Sequence, residues 1–297
     1  MRWLLASRRR VVLVALAALL LSIWAYAFVA ARSTPIAEHP FVAARGPLVI
    51  AHRGGRGHWP ENTLYAFRRA AARGVDVLEM DVRTAADGAL VVFHDGDVSR
   101  TTHGRGRVEE LSSAVLGELD AGYSWSSDGG ETHPYRGRGI GIPTLRDVFG
   151  ALPDMRMNLE IKDASQPRSL CALIRVTGRQ EQVLVASFEH AAMEEFRSLC
   201  PEVATSTTAS EAQSFYLLHL VALPGLFQPR AEALQVPARL GRLEIVTPAF
   251  LRAARRLNVR VHVWTANRLD ELERLLELGV DGIMTDYPER LMTLLGR

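Results

Sequence analysis

Lysine is nearly absent from this chain. Of the 297 residues, 35 are basic and 34 of these are arginine; the exception is Lys162, two positions after Glu160. A lysine that survives such a bias suggests that this position needs a compact ammonium group. The bias toward arginine can equally reflect genomic composition, so the lysine decides nothing by itself.

Other features that the sequence lacks exclude whole classes of function. Residues 1–33 hold five of the 35 basic residues and no acid, which leaves 30 basic residues against 33 acidic ones in the rest of the chain. A mildly acidic body argues against a nucleic-acid partner. The glycines at 54, 55 and 57 resemble a phosphate loop, but neither the Gly-Lys-Ser/Thr ending of a P-loop nor a Rossmann fingerprint is present.

The chain has one long apolar run. Val11–Ala31 carries no charge and is long enough, at about twenty residues, to cross a bilayer as a helix. Four arginines precede it, so the positive-inside rule keeps the N-terminus in the cytoplasm and places the body on the periplasmic or extracellular face. We expect a retained anchor. Ala25-Tyr26-Ala27 also resembles a cleavage site, and the body would be secreted if the leader were removed.

The two cysteines, Cys171 and Cys200, fit either of two interpretations. They could pair in an oxidising periplasm, or both could be small apolar residues of the core. The sequence favours neither.

The chain is expected to divide into an anchor at 1–33, a linker at 34–46 and a body at 47–297. In the body, short β-branched runs alternate with amphipathic helical stretches in about eight units, as expected of an α/β protein with a TIM (β/α)8 barrel. A doubly wound sheet is the alternative. The segment at about 96–142 is rich in Gly, Ser and Arg and predicts an insertion after the second strand, over one end of the barrel.

Three acidic residues lie at predicted strand ends. Glu79 and Asp81 have strand spacing, so their side chains point to one face, and Glu160 ends a later strand. In a barrel, the C-terminal strand ends form the face that carries the active site. Three carboxylates there would repel one another unless a cation lay between them, and hard oxygen ligands suit Mg²⁺ or Ca²⁺. Alternatively, Glu79 or Asp81 simply pairs with Arg53 or Arg83.

Two histidines and two cations accompany these acids. His52 and His94 each end a strand; they could act as general acid and base, because the pKa of histidine lies near working pH, or they could be structural. Arg53 and Lys162 would neutralise phosphate oxygens. Trp264 either forms a wall of the pocket for the alcohol part of a substrate or packs in the core.

Eight motifs between residues 47 and 295 belong together: His52-Arg53-Gly54, Pro60-Glu61-Asn62-Thr63, Glu79-Met80-Asp81, His94-Asp95, Arg100-Thr101-Thr102, Glu160-Ile161-Lys162, Val263-Trp264-Thr265-Ala266-Asn267 and Gly279–Asp286. Jointly they resemble the glycerophosphodiester phosphodiesterase family, here a bacterial-type member with an N-terminal membrane segment. The resemblance implies a TIM barrel with an insertion after the second strand and a divalent-metal site. It also implies that the three acids are metal ligands, that the two histidines are acid and base, and that Arg53 and Lys162 hold phosphate.

The activity expected from this resemblance is metal-dependent hydrolysis of glycerophosphodiesters to glycerol 3-phosphate and an alcohol. A lyase-type phospholipase that releases a cyclic phosphate is one alternative. An inactive lipid-binding barrel is another, but it predicts the loss of an acid or a histidine, and none is missing. The oligomeric state is left open.

Tethering to a membrane also suggests lysophospholipids as substrates, with lysophosphatidate as the product. Two stretches could form a rim that faces the lipid surface: residues 215–221 with 226–227, and the aromatic set Tyr123, Trp125 and Tyr135. The alternatives are an ordinary core-facing helix for the first stretch and packing within the insertion for the second.

Overall fold

The computed structural model describes residues 2–30, 33–44 and 46–297. Met1, Ala31, Arg32 and Arg45, which belong to the predicted anchor and linker, lie outside the described residues. The N-terminal helix α1 spans Arg2–Ala30, and its segment Val12–Val29 is long and apolar enough to cross a membrane. A signal sequence would satisfy the same test, so length and composition alone do not separate an anchor from a cleaved leader.

Eleven strands lie within the described residues. In chain order they are β1 (Leu48–Ala51), β2 (Val77–Thr84), β3 (Leu90–Val92), β4 (Arg156–Ile161), β5 (Val183–Ala186), β6 (Ala204–Thr205), β7 (Ala233–Pro237), β8 (Arg239–Leu240), β9 (Leu243–Glu244), β10 (Arg260–Trp264) and β11 (Gly282–Thr285). Eight of them are parallel neighbours in the order β6-β5-β4-β2-β1-β11-β10-β7, and a bridge between Ser206 and Ala233 brings the two ends of this order together. The predicted TIM barrel is confirmed.

Helices connect the strands around the outside of the barrel: α2 (Leu64–Ala72), α3 (Ser113–Glu118), α4 (Leu145–Ala151), α5 (Pro167–Val176), α6 (His190–Leu199), α7 (Ala209–Leu220), α8 (Pro248–Arg256), α9 (Leu269–Leu278) and α10 (Pro288–Leu294). Threonine hydroxyls begin several of them; at α8, Thr247 accepts from the N–H of Phe250 and Pro248 occupies the first turn. We call the face at the C-terminal strand ends the mouth and the opposite face the floor. A helix that follows a parallel strand starts at the mouth and ends at the floor.

Part of the predicted linker packs against the floor. A 3-10 helix at Pro40–Val42 buries Phe41 and Val42 in a cluster with the first residues of several strands, among them Leu48 and Val77. Farther upstream, the N–H of Ile36 donates to the carbonyl of Leu257 at 3.0 Å. The segment therefore closes the lower end of the barrel as well as connecting it to α1.

The insertion at 96–142 has a small core of its own, which includes Val98, Val108 and Leu116, and it lies beside the mouth. Trp125 Nε1 donates to the carbonyl of Arg56 and Tyr135 Oη to that of His58, both on the loop that follows β1. The other predicted half of a lipid-facing rim lies at the end of α7, which is at the floor. The prediction of one rim is therefore wrong, because the two stretches lie at opposite ends of the barrel.

A disulfide joins Cys171 on α5 to Cys200 after α6. The structure therefore agrees with the interpretation that the two cysteines pair. The two helices are neighbours on the outside of the barrel, and both cysteines are buried. Disulfides persist in oxidising compartments, which agrees with a body outside the cytoplasm.

Candidate active site

The chain turns sharply where β1 ends. Arg53 has the left-handed φ of 50°, and Gly54 follows at 81°. A Cβ on Gly54 would lie 2.9 Å from the Cβ of Ala66 and from a ring carbon of Phe67, so only glycine allows this turn to approach α2 so closely. The turn aims the backbone N–H of Arg53 at Glu79 Oε2, with 2.7 Å between the nitrogen and the oxygen.

Three carboxylates converge above this turn. Glu79 and Asp81 point to the same side of β2, and Glu160 lies directly opposite Asp81 in the register of β2 and β4. One oxygen of each carboxylate lies within 4.8 Å of the others. Glu79 and Asp81 are buried inside their strand rather than at its end, since β2 continues to Thr84 to pair with β3.

The electrostatics of the acids favour a cation between them. Burial, followed by the charge of Asp81, raises the pKa of Glu79 to about 7. Burial would also raise the pKa of Asp81, but the charges of Lys162 and Arg53 outweigh it and lower that pKa below its ordinary value. These acids could hold a divalent metal, because hard oxygens at this spacing are its usual ligands and because buried like charges need compensation.

Two side-chain cations reach the same acids. Lys162 Nζ lies 2.5 Å from Glu160 Oε1 and 3.0 Å from Asp81 Oδ1. Arg53 Nε lies 3.2 Å from Asp81 Oδ2, and its other end pairs with Glu61 at 2.8 Å. Burial lowers the pKa of Lys162, but the charges of Asp81 and Glu160 outweigh this effect, so its pKa is raised and it stays an ammonium.

Each predicted histidine is held by its own carboxylate. His52 Nδ1 lies 2.6 Å from Asp286 Oδ1, and His94 Nδ1 lies 2.6 Å from Asp95 Oδ1. A carboxylate at Nδ1 fixes the ring orientation and favours the N–H there, which leaves Nε2 to act in the site. His52 Nε2 lies 4.0 Å from Glu79 Oε2, so this nitrogen faces the carboxylates.

Asp286 and Asp95 are fixed in turn by further polar groups. Asp286 accepts from Asn267 Nδ2 at 2.8 Å and from Arg56 Nε at 2.9 Å. Arg100 pairs with Asp95 and also reaches Glu61, the partner of Arg53. The two histidines are thus positioned by separate networks, one on β11 and one beside β3.

Trp264 stands apart from this cluster. It ends β10, is half-buried, and meets the ring of Phe188 edge to face with 5.9 Å between ring centres. Phe188 follows β5 and is exposed, so the two rings form an apolar side of the mouth. His262, two residues before Trp264, is buried in the barrel as expected from its place on the strand, and burial lowers its pKa to about 4.

Residues 52–290 match the sequence profile of the Glycerophosphoryl diester phosphodiesterase family. The chain belongs to this family. A glycerophosphodiester phosphodiesterase of Caldanaerobacter subterraneus subsp. tengcongensis is 34% identical over 256 residues, which cover 83% of this chain and 97% of the relative. The predicted recognition and the predicted class of enzyme, a phosphodiesterase, are confirmed.

Solved structures of the family share the fold. The glycerophosphoryl diester phosphodiesterase domain of a Mycobacterium tuberculosis protein matches with a TM-score of 0.76 at 23% identity, over 85% of this chain and 100% of that one. A phosphodiesterase from Oleispira antarctica, solved in complex with the product sn-glycerol-3-phosphate, matches with a TM-score of 0.66 at 26% identity, over 84% of this chain and 97% of that one.

In this glycerophosphoryl diester phosphodiesterase, the structure brings seven of the eight predicted site residues together. They are His52, Arg53, Glu79, Asp81, His94, Glu160 and Lys162; the eighth, Trp264, contacts the apolar side of the mouth instead. His94 belongs to the group because Phe93, the residue before it, donates its backbone N–H to the carbonyl of Asp81 at 3.0 Å.

Sequence reasoning missed the role of Asn62. The residue that caps α2 is its neighbour Thr63, which accepts from the N–H of Ala66 at 3.2 Å. Asn62 has a φ of 58° and binds Asp81 twice: Nδ2 donates to Oδ2 at 2.8 Å, and Oδ1 accepts from the backbone N–H at 3.3 Å. The only sequence feature that could have indicated this role is the Pro60-Glu61-Asn62-Thr63 motif, to which Asn62 belongs.

Proposed function

We propose that this enzyme hydrolyses glycerophosphodiesters to glycerol 3-phosphate and an alcohol, with a divalent cation, Mg²⁺ or Ca²⁺, held by Glu79, Asp81 and Glu160. The observation that carries the proposal is the cluster of three carboxylates with one oxygen each within 4.8 Å of the others, beside a lysine. Family membership supports the substrate class, and the Oleispira antarctica relative was solved with sn-glycerol-3-phosphate. When bound, such a cation offsets charge on phosphoryl oxygens and activates water.

The remaining side chains have separable tasks. Arg53 and Lys162 bind the non-bridging phosphoryl oxygens, since both cations already lie beside the carboxylates that would hold the metal. Water attacks phosphorus and the bond from phosphorus to the alcohol oxygen breaks. Of His52 and His94, one accepts a proton from the water and the other donates a proton to the departing alkoxide. Their Nδ1 carboxylate partners would stabilise each ring when it is protonated.

A lysophospholipid is the second candidate substrate, and the apolar side of the mouth favours it. Phe188 is 57% exposed although it is a large aromatic residue, and it leans against Trp264. Exposed aromatic rings beside a polar site suit the apolar part of an alcohol or a lysolipid. The product would then be lysophosphatidate.

We further propose that residues 1–33 anchor the enzyme, that 34–46 link the anchor to the body, and that 47–297, including the insertion at 96–142, form the catalytic barrel outside the cytoplasm. The apolar helix preceded by arginines supports this orientation. The disulfide supports an oxidising compartment for the body.

Metal removal tests the proposal. The full chain, purified in detergent and treated with a chelator, is expected to lose hydrolysis of glycerophosphocholine and to regain it with Mg²⁺ or Ca²⁺. Glu79→Gln should lower both metal affinity, measured by calorimetry, and turnover. Glu194→Gln is the matched control, because Glu194 belongs to a second group that could hold an ion but already pairs with Arg197 and Arg230. Full activity after exhaustive chelation would refute the metal.

Product analysis tests the reaction itself. Phosphorus NMR should detect glycerol 3-phosphate from glycerophosphocholine, whereas a lyase would give a cyclic phosphate. Comparing glycerophosphocholine with lysophosphatidylcholine tests the apolar side, because Phe188→Ser should slow only the lysolipid reaction. If Phe188→Ser leaves both rates unchanged, the rings at the mouth do not bind the acyl chain of the lysolipid.

A further inference from the structure

The chain leaves its N-terminal helix at the floor of the barrel. Ile36 is fixed there twice: its N–H donates to Leu257 at 3.0 Å, and its carbonyl accepts from Asn258 Nδ2 at 2.9 Å. Both partners lie between the end of α8 and the start of β10. Only five residues separate Ala30 from Ile36, so the end of α1 lies within about 20 Å of the floor.

A direct contact places the last turns of α1 beside α7. Trp24 Nε1 donates to the carbonyl of Val221 at 2.8 Å, just past the end of α7. Trp24, Tyr26 and Phe28 are the aromatic residues of these turns, and such residues gather where a membrane helix meets the headgroups. Trp24 lies five residues, or about 8 Å, before Val29, the last residue of the candidate span, so the end of α7 would lie beside the outer edge of the bilayer, at the boundary between headgroups and acyl chains.

The surface around this contact is apolar where most of the barrel exterior is not. Leu217, Leu220, Val221 and Leu226 are between 45 and 59% exposed although Phe215, on the same helix, is fully buried. Helix α7 therefore has a core-facing side and a second apolar side that no described residue of the barrel covers. Contiguous exposed apolar residues mark contact with a membrane or a partner.

Arginines border this apolar surface on the next helix. Arg252, Arg255 and Arg256 are exposed on the floor half of α8, and α8 packs beside α7. Among the described residues, no carboxylate forms an ion pair with these three. Arg255 donates to the carbonyl of Gly279 at the end of α9, whereas Arg252 and Arg256 beside exposed leucines match an interface of anionic lipid headgroups over acyl chains.

From these contacts we infer that the floor at the ends of α7 and α8 is a seat on the bilayer that holds α1, and that the mouth opens away from this membrane. The seat consists of Leu217, Leu220, Val221, Leu226, Arg252 and Arg256. Glu79 and Asp81 lie two and four residues along β2 from Val77, which packs with Phe41 and Val42 in the cluster that closes the floor. The carboxylates are therefore open to the mouth, on the side of the barrel that faces away from lipids embedded in the same leaflet.

The orientation has a consequence for substrate choice, which rests on the proposed function. Substrate must arrive from the aqueous side, as a water-soluble glycerophosphodiester or as a lysolipid that has left its membrane. The anchor then fixes where the enzyme works without presenting lipids to the mouth.

Site-directed fluorescence tests the orientation without using activity. The full chain, in vesicles of phosphatidylcholine with phosphatidylglycerol, is labelled at Leu226→Cys on the seat or at Ser127→Cys in the exposed insertion beside the mouth. Labelling without reductant keeps Cys171 and Cys200 paired. A phospholipid with a nitroxide near its headgroup should quench the label at 226 strongly and leave the label at 127 nearly unchanged. Strong quenching of the label at 127, or no quenching of the label at 226, would overturn the proposal. The label at 226 would also escape quenching if a protein partner, and not the membrane, covered the seat.

Two controls separate the parts of the proposal. Val176→Cys is a matched control position, because Val176 is apolar, 71% exposed and lies at the floor end of α5, away from α7. If the barrel sits on the membrane by its α7–α8 side, the label at 176 should be quenched less than the label at 226. Arg252→Gln with Arg256→Gln should reduce quenching at 226 only in vesicles with phosphatidylglycerol. Equal quenching with and without these arginines refutes the role of the basic residues. Retained hydrolysis of glycerophosphocholine shows that each variant folds. The quenching measurement still tests the orientation if glycerophosphocholine is not a substrate.

Discussion

The carboxylate of Asp286 links the last strand of the barrel to the first catalytic turn, and replacing it with asparagine is the most informative single change. Asp286 Oδ1 lies 2.6 Å from His52 Nδ1 and also accepts from Arg56 Nε at 2.9 Å, while Oδ2 accepts from Asn267 at 2.8 Å. Asparagine keeps the size but loses the charge and one acceptor. We expect losses in both stability and turnover.

The loss of stability can be estimated from the pKa of Asp286. Burial raises this pKa, but the hydrogen bond and charge of His52, together with Arg56, outweigh burial and lower it from 3.8 to about 2. At about 1.4 kcal/mol per pKa unit, the ionised carboxylate contributes about 2 kcal/mol at neutral pH. Because the pKa is lower in the folded state, this contribution is complete above the unfolded value and disappears as pH falls toward 2.

Turnover should fall because His52 loses its orienting partner. A hydrogen bond to a charged group contributes about 1.5–3 kcal/mol, which corresponds to a fall in kcat of about 10- to 100-fold with little change in KM. Denaturant unfolding of the full chain in detergent, at neutral pH and near pH 2, together with steady-state kinetics, measures both effects. The difference in unfolding free energy between wild type and Asp286→Asn should nearly vanish in acid.

Asp76→Asn is the matched control for this change. Asp76 lies at the floor, where it accepts from the N–H of Val49 at 2.8 Å and pairs with Arg297 at 2.7 Å. Its loss should reduce stability and leave kcat unchanged. Wild-type turnover in Asp286→Asn would refute the positioning role, and an undiminished stability difference in acid would show that charge is not its source.

Three further predictions address the histidines, the disulfide and the topology. His52→Ala and His94→Ala should each lower kcat by about 10²–10⁴-fold and remove one limb of the pH–rate profile, whereas the exposed His190→Ala should do neither; near wild-type rates in both would make the histidines structural. Replacing Cys171 and Cys200 together with alanine should lower the free energy of unfolding by about 3.5 kcal/mol, given a separation of 29 residues, and leave kcat unchanged; an unchanged midpoint of unfolding would contradict this. A reporter enzyme fused after Arg297 that folds only outside the cytoplasm should be active, and the chain should stay in membranes after a carbonate wash; a shortened soluble body would instead indicate a cleaved leader.

Local periodicity was sufficient to predict the barrel. The alternation of β-branched runs and amphipathic stretches predicted about eight strand–helix units, and eight parallel strands form the barrel, because each strand is a short β-branched run that is visible in the local sequence. Glu79 and Asp81 were predicted to converge for the same reason, since residues two apart on a strand share a face. The two acids were predicted at a strand end, but β2 continues to Thr84 because it pairs there with β3, and sequence alone does not reveal this pairing.

Contacts between distant segments account for what sequence reasoning missed. Asp286 lies 234 residues from His52, so no local pattern links them, although the Thr-Asp motif at the end of β11 was noticed. Asn62 lies just before a helix, where asparagine commonly serves as a cap, and only the return of the chain over β2 brings it to Asp81. The end of α7 was correctly noticed as apolar but assigned to the wrong end of the barrel, because its neighbour there is α1.

The single lysine also has a geometric reason. Lys162 Nζ bridges one oxygen of Asp81 and one of Glu160, and it does so from a side chain that is only 14% exposed. A tetrahedral ammonium can donate to both oxygens from one point, whereas a planar guanidinium would spread its donors over a wider area and extend into the space between the three carboxylates. Arg53 pairs with Glu61 and Asp81 at the side of this space, where a planar group fits. In a chain that otherwise uses arginine at every basic position, a guanidinium at 162 would occupy the space in which we propose that a cation binds.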